Sequence, residues 1–117
     1  MKNTVVYIET DKRKYPLVFN LNVMEEIQEK YGSLDAWGEL TKGEGEPKIK
    51  DLKAGIMFML NEAIEMENYN NGTNEPTLTE KQVGWLMSEV GIDTFVKKIQ
   101  EITIASTKSE DNTGKNE

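Results

Sequence analysis

The stretch that most constrains the fold covers residues 15–31, YPLVFNLNVMEEIQEKY, because a strand pattern turns into a helix pattern within it. Tyr15, Leu17 and Phe19 alternate along its first part, and such alternation places side chains on one face of a strand. The apolar residues then recur at helical spacing, at Leu21, Met24, Ile27 and Tyr31. The unit therefore has an apolar strand face and an apolar helix face, and the rest of the chain is expected to cover them.

A second strand pattern precedes this unit. Residues 4–9, TVVYIE, are rich in β-branched and aromatic side chains, and five polar residues separate them from Tyr15. The pattern predicts a β-hairpin over residues 4–20. Because Pro16 cannot donate a ladder hydrogen bond, its strand should lie at a sheet edge or begin at Pro16. A lone hairpin is marginal in water, so helices or a second subunit must cover it. Tyr15, Pro16 and Val18 are thus candidates for an edge that contacts another subunit, which makes the protein a candidate homo-oligomer.

Helical patterns fill the rest of the chain, at about residues 21–31, 33–41, 51–67, 79–90 and 92–105. Asn20 and Asn22 are alternative caps for the first helix. Asn20 would allow a hydrophobic staple, and Asn22 would allow a capping box. Thr79 and Gln82 have the spacing of a capping box at the fourth helix. The third helix is apolar around much of its circumference and should be central.

The length of 117 residues suits one domain. We expect a mostly α, α+β fold in which an N-terminal β-hairpin is followed by about five helices packed as a small bundle. The globular domain should span residues 1–105. The segment STKSEDNTGKNE, residues 106–117, has no apolar side chain, so burial cannot compensate the entropy of ordering it, and we expect a disordered tail.

Composition argues against several functional classes. The chain has no Cys and no His, so it lacks thiol nucleophiles, imidazole bases and the usual zinc ligands. Its glutamates, among them Glu25, Glu26, Glu29, Glu62, Glu65 and Glu67, have the spacing of a solvated helix face. Gly43-Glu44-Gly45 lacks the context of a phosphate-binding loop. We expect no enzymatic activity, no cofactor and no metal. The net charge of -7 opposes nucleic-acid binding, and no apolar run is long enough for a membrane span.

Methionines are concentrated in the third helix. Flexible, polarizable Met side chains suit surfaces that accept varied partners. Together with two residues of the fourth helix, they form our candidate partner-binding set, which is Met57, Met59, Met66, Trp85 and Met87. The alternative is that these methionines fill an irregular core and that Trp85 is partly buried at the domain edge.

The segment KYPLVFNLNVMEEIQEKYGSLDAW resembles the opening of the tail assembly chaperones of long-tailed bacteriophages. In that family, a β segment of the type YPLxFxLN leads into a helix with a Glu-Glu-Ile/Leu pattern and then Tyr/Phe-Gly-Ser. The matching residues are Tyr15-Pro16-Leu17, Phe19-Asn20-Leu21-Asn22, Glu25-Glu26-Ile27 and Tyr31-Gly32-Ser33-Leu34. Residues 78–83, LTEKQV, resemble the start of the family's penultimate helix. The likeness covers residues 5–105 in outline and is specific over about the first third.

The resemblance implies a non-enzymatic protein of the host bacterial cytoplasm. Such a chaperone binds the long, largely helical tape measure protein, keeps it soluble and helps to recruit tail tube subunits. It then leaves the tail, so it should be absent from the mature virion. The alternative is a structural subunit of a phage tail or head–tail connector, which would oligomerise through the N-terminal hairpin and remain in the particle.

Overall fold

The computed structural model describes residues 5–41 and 48–115. It has the predicted architecture, an N-terminal hairpin followed by five helices. The elements are β1 (Val5–Glu9), β2 (Lys14–Val18), α1 (Leu21–Tyr31), α2 (Leu34–Thr41), α3 (Ile49–Asn71), α4 (Glu80–Val90) and α5 (Ile92–Lys115). The Gly43-Glu44-Gly45 segment lies outside the described residues. Within them, no helix combines the length and the hydropathy that crossing a membrane requires.

The hairpin is antiparallel, and its inner face pairs Val6 with Leu17 and Ile8 with Tyr15. Thr10 closes the turn, because its hydroxyl donates a hydrogen bond to the carbonyl oxygen of Arg13 at 3.0 Å and accepts from the Arg13 amide at 3.2 Å. The sheet has two strands within residues 5–41 and 48–115, so each strand is an edge. An edge position tolerates Pro16, which has no amide proton to donate, as expected.

The outer side of β2 is not open, contrary to the expectation of a subunit-contact edge. Val18 is 0% exposed and Pro16 is buried, although their cross-strand partners Val5 and Tyr7 are exposed. Helix α3 packs against β2 within the same chain, so the chain itself covers this strand. Of the three candidate contact residues, only Tyr15 keeps partial exposure.

Asn20 is the cap of α1. Its side-chain oxygen accepts a hydrogen bond from the Val23 amide at 3.1 Å, which decides between the two alternatives left open by the sequence. The buried residues of α1 are Val23 and Ile27, whereas Leu21 is 68% exposed, so the expectation that Leu21 lies in the core was wrong. Two residues correspond to about 200° of helix rotation, so Leu21 points away from the side that Val23 buries.

Helix α3 is the centre of the fold, as predicted, and is longer at both ends than expected. It packs against β2, α1, α2 and α4. Its fully enclosed side chains form the middle of the core, namely Leu52, Ile56, Met59, Leu60 and Ala63. Ser33 caps the neighbouring α2 by accepting a hydrogen bond from the Ala36 amide at 3.0 Å. Trp37 packs α2 against α3 and is 5% exposed.

Two asparagines of α3 hold the connection from α3 to α4. The Asn61 amide group donates to the carbonyl oxygen of Leu78 at 3.0 Å and accepts from the Leu78 amide at 2.8 Å. Seven residues further along α3, Asn68 makes the same pair of hydrogen bonds to the backbone of Glu75, at 2.9 Å and 3.0 Å. Each asparagine side chain thus pairs with a backbone N–H and C=O as a neighbouring strand would. Leu78 and Glu75 therefore have backbone hydrogen bonds although the connection has no secondary structure of its own.

Helices α4 and α5 complete the bundle. The predicted capping box of α4 is confirmed, since the Gln82 amide donates to the Thr79 hydroxyl at 3.1 Å and the Thr79 amide donates to the Gln82 side chain at 2.9 Å. Helix α5 packs Phe95 and Ile102 into the core. The predicted helix boundary at residue 105 differs from the structure, because the backbone stays helical to Lys115. Extending a helix that has already formed requires no new nucleation.

Candidate partner-binding groove

The structure separates the five candidate partner-binding residues. Met59 is 0% exposed and Met87 is 4% exposed, so both belong to the core and we remove them from the candidate surface. Met57 and Met66 are half-buried. Because α3 has neighbours on most sides, its methionines fill space between helices. Trp85 differs from all four, since 64% of it is exposed.

The orientation of α4 explains why Trp85 faces outward. Val83, Leu86 and Met87 are the buried residues of this helix, and the capping box together with Asn61 sets where the helix begins. Trp85 follows Val83 by two residues, which is about 200° of rotation. The same side-chain spacing that buries Val83 therefore leaves the indole of Trp85 on the surface.

The exposed Trp85 borders a groove between the start of α3 and α4, which we call the Trp85 groove. Its lining residues come from α3, α4 and the start of α5, and they are Ile49, Lys53, Lys81, Gly84, Trp85, Met87, Ser88, Gly91 and Ile92. Ile49 is 47% exposed at the opposite wall. Sequence reasoning missed Ile49 because the third helix was expected to begin only at about residue 51, whereas it begins at Ile49. Its spacing of one turn from Lys53 was the available signal.

Small residues form the α4 side of this groove. A side chain at Gly84 would have its Cβ 3.7 Å from both Cδ and Nζ of Lys53, so the Lys53 side chain lies over this glycine. Ser88 and Gly91 follow at spacings of four and seven residues, which places them on the same side of the helix.

The Trp85 groove is locally basic, although the whole chain carries a net charge of -7. Its two charged lining residues are Lys53 and Lys81. Neither forms an ion pair with another residue in the part of the chain that the structure describes. Lys14, in contrast, lies 3.6 Å from a carboxylate oxygen of Glu9. The groove thus combines two exposed apolar side chains, Trp85 and Ile49, with two cations that pair with no carboxylate among the described residues.

Trp85 also borders a second, more polar depression on the other side of α4. This depression is lined by hairpin and α4 residues, namely Thr10, Lys12, Tyr15, Leu78, Gln82, Trp85, Leu86 and Glu89. Glu89 lies opposite Lys12 in this lining, so its charges are mixed. The indole therefore forms a ridge between two concave surfaces, of which the Trp85 groove is the more apolar.

One group of acidic residues lies on α1 and the facing part of α3. Loss of solvent around the Glu26 carboxyl raises its pKa, and the charges of Glu62, Glu65, Glu29 and Glu25 raise it further. One carboxylate oxygen of Glu62 accepts hydrogen bonds from the side chains of Asn20 and Asn22, both at 2.8 Å. Among the described residues, no three acidic side chains are grouped so as to hold a metal ion. Glu62 serves to tie the start of α1 to α3.

A cavity of about 300 Å³ lies between α2 and α5. Its apolar lining is made largely of core side chains, since Phe19, Trp37 and Ile99 are 4%, 5% and 7% exposed. These side chains offer little surface to a partner without movement of the helices. The Trp85 groove is the better candidate for partner binding, because Trp85 and Ile49 in its lining are 64% and 47% exposed.

Comparison with known proteins adds no relative. The chain matches no family model, no curated protein and no solved structure. The chemistry of the Trp85 groove is therefore argued from its own residues.

Proposed function

We propose that this protein is a non-enzymatic tail assembly chaperone that binds and solubilises a phage tape measure protein in the bacterial cytoplasm and helps to recruit tail tube subunits. The resemblance of residues 15–34 to that family supports the proposal. The structural observation that carries it is the pair of exposed apolar side chains, Trp85 and Ile49, on opposite walls of one groove. Such a groove suits the apolar stripe of a partner helix.

The exposed surface of Trp85 is large enough to matter for binding. An aromatic side chain buries roughly 150–250 Å². Covering the exposed 64% of Trp85 would then contribute roughly 2–4 kcal/mol at about 25 cal/mol per Å². Each 1.4 kcal/mol corresponds to about a tenfold change in Kd. Trp85 alone would therefore account for roughly a 30-fold to several-hundredfold difference in affinity.

Coexpression with the tape measure protein of the same genome tests this proposal. We expect the tape measure protein to become soluble and to copurify with the wild-type chain, and to do neither with Trp85→Ala. The matched control is Tyr69→Ala, because Tyr69 is an aromatic residue that is 89% exposed and lies outside the groove. A tape measure protein that is equally soluble alone, or that never copurifies, rules out the chaperone function.

The alternative is a structural tail or head–tail connector subunit that oligomerises through the hairpin. One observation favours it: Val5 and Tyr7 on β1 are 38% and 45% exposed, so the outer face of β1 offers apolar surface that β2 does not. Mass spectrometry of purified virions separates the two functions. A structural subunit would be a stoichiometric component of the particle, whereas a chaperone is absent or scarce.

A further inference from the structure

We infer that the Trp85 groove selects a helical segment whose apolar stripe is flanked by carboxylates. This inference rests on the proposed function for the identity of the helix, which would be a segment of the tape measure protein. It adds the chemistry by which the segment is recognised. Three features of the groove carry it, namely its charge, its shape and the position of Lys53.

The charge of the groove differs in sign from that of the molecule. Lys53 and Lys81 are the two charged residues of its lining, and neither is paired with a carboxylate of the described chain. At physiological salt, charges are screened over about 8 Å, so a carboxylate in the groove would interact mainly with the nearest charges, and those in the lining are Lys53 and Lys81. A partner with lysines at the same places would meet like charges at close range.

The shape of the groove suits the backbone of a helix. Ser88 and Gly91 lie along one side of α4 and have little or no side chain, so a second helix can approach α4 beyond the place where Lys53 covers Gly84. Lys81 and Ser88 are two turns apart, about 10 Å along α4. This length accommodates two apolar residues spaced three or four apart on the partner. Trp85 and Ile49 then enclose those residues from either side.

Lys53 contributes one of the two positive charges of the groove. Its Cδ and Nζ both lie 3.7 Å from the position of a Gly84 Cβ, so the end of this side chain, ammonium group included, lies against α4 at Gly84. Lys81 supplies a second ammonium group from α4. Two cations in the lining of a groove that also has exposed apolar side chains fit carboxylates that flank an apolar stripe.

A pair of synthetic amphipathic helices tests the inference directly. The two peptides share one length and one Leu/Ala stripe, and they differ only in carrying Glu or Lys at the flanking positions. Binding is followed by the shift of tryptophan emission in the full chain. Trp85→Phe leaves the buried Trp37 as the only tryptophan and should abolish the shift. We expect the Glu peptide to bind the wild-type protein roughly tenfold more tightly than the Lys peptide, the sum of two modest ion pairs.

Charge reversal provides the decisive variant. Lys53→Glu with Lys81→Glu should reverse the preference, so that the Lys peptide binds more tightly. The control is Lys30→Glu with Lys97→Glu, which changes the net charge by the same amount at exposed positions outside the groove and should keep the wild-type preference. Lys53→Gln with Lys81→Gln should remove the preference without reversing it. Circular dichroism melts verify that each variant is folded.

Three outcomes would overturn the inference: neither peptide binds, both bind the wild-type protein equally, or the preference survives reversal at Lys53 and Lys81. A thymidine oligonucleotide serves as a polyanion without an apolar stripe, and an equal shift of Trp85 emission by this probe would also overturn it. Coexpression separates the two proposals. A tape measure protein that copurifies equally with the reversed variant contradicts the inference alone. If the Glu peptide is preferred while the tape measure protein never copurifies, the proposed function fails and the groove chemistry stands.

Discussion

The indole of Trp37 occupies the space that a side chain at Gly55 would need. A Cβ at Gly55 would lie 2.7 Å from Cε2 of Trp37, which is closer than side-chain carbons approach in proteins. The indole nitrogen of Trp37 also donates a hydrogen bond to the carbonyl oxygen of Asp51 at 3.0 Å. One aromatic residue, packed against a glycine of the central helix, thereby joins α2 to α3.

Gly55→Ala should destabilise the protein by about 1–3 kcal/mol, because the added methyl group overpacks the contact with Trp37. This effect must exceed the gain of about 1 kcal/mol that alanine has over glycine inside a helix. The matched control is Gly84→Ala, whose methyl group would be in ordinary contact with Lys53 and should stabilise by up to about 1 kcal/mol. Urea unfolding measures both. A Gly55→Ala protein as stable as Gly84→Ala would contradict the packing of Trp37.

Asn61→Ala should lower the free energy of unfolding by about 1–3 kcal/mol, because it leaves both backbone groups of Leu78 without their partners in a partly buried place. Asn68→Ala should cost less, since its bonds to Glu75 are exposed to water. Asn70→Ala is the control, because its side chain makes no hydrogen bond within the described residues and is exposed. Equal effects of Asn61→Ala and Asn70→Ala would show that Asn61 does not hold the connection.

Tyr31 should make stability fall between about pH 10 and pH 12. Burial raises the pKa of Tyr31 to about 12 from its ordinary 10, and the neighbouring Asp51 carboxylate acts in the same direction. Its hydroxyl oxygen is buried and has no hydrogen bond of normal geometry. The unfolded chain therefore loses the tyrosine proton first as the pH rises, which favours unfolding.

Tyr31→Phe removes this titration and leaves the lysines in place. The difference in unfolding free energy between wild type and Tyr31→Phe should be constant below about pH 10. Between about pH 10 and pH 12, the wild type should lose stability relative to Tyr31→Phe. Denaturant midpoints measured at several pH values provide the comparison. Parallel pH profiles for the two proteins would contradict the burial of the Tyr31 hydroxyl.

Glu26→Gln should stabilise the protein at neutral pH. The pKa of Glu26 is raised by loss of solvent around its carboxyl and then by Glu62 and Glu65, so its charged form is less favourable in the folded state than in the unfolded chain. Stability therefore falls as the pH rises through the titration of Glu26, and glutamine avoids this loss. The advantage should disappear in acid, where Glu26 is protonated in both states.

Glu67→Gln is the control for Glu26→Gln. Glu67 is an exposed carboxyl on α3 and is not among the charges that raise the pKa of Glu26. Both variants change the net charge by one unit, so a general relief of the negative charge would appear in both. Thermal melts at neutral and acidic pH decide whether the benefit is specific to Glu26.

The local signals in the sequence were sufficient for most element types and helix ends. Thr79 caps α4 with Gln82, as predicted, and Gly32 ends α1 with a positive φ of 91° directly after the predicted helix of residues 21–31. These features depend on atoms within a few residues, so the sequence contains all that is needed to predict them. Apolar spacing likewise predicted the hairpin and the central place of α3. Where two local solutions were equally good, as for Asn20 and Asn22, the sequence left the choice open.

The candidate site was less predictable, because burial depends on which faces dock. A methionine-rich helix does not reveal which of its methionines a neighbouring helix will cover, and the structure placed Met59 in the core. Val18 has the sequence pattern of an outward-facing strand residue, but the packing of α3 against β2 buries it. Ile49 lines the Trp85 groove because α4 lies beside the start of α3.

Local chemistry, acting through hydrogen bonds across three or four residues, thus determined where helices and turns begin and end. The tertiary structure decided which side chains remain exposed to a partner. Contacts between Asn61 and Leu78 and between Trp37 and Gly55 join residues that are 17 and 18 positions apart in the chain. Such contacts set how the helices lie against one another. That arrangement left Trp85 exposed beside Lys53 and buried Met87 two residues away.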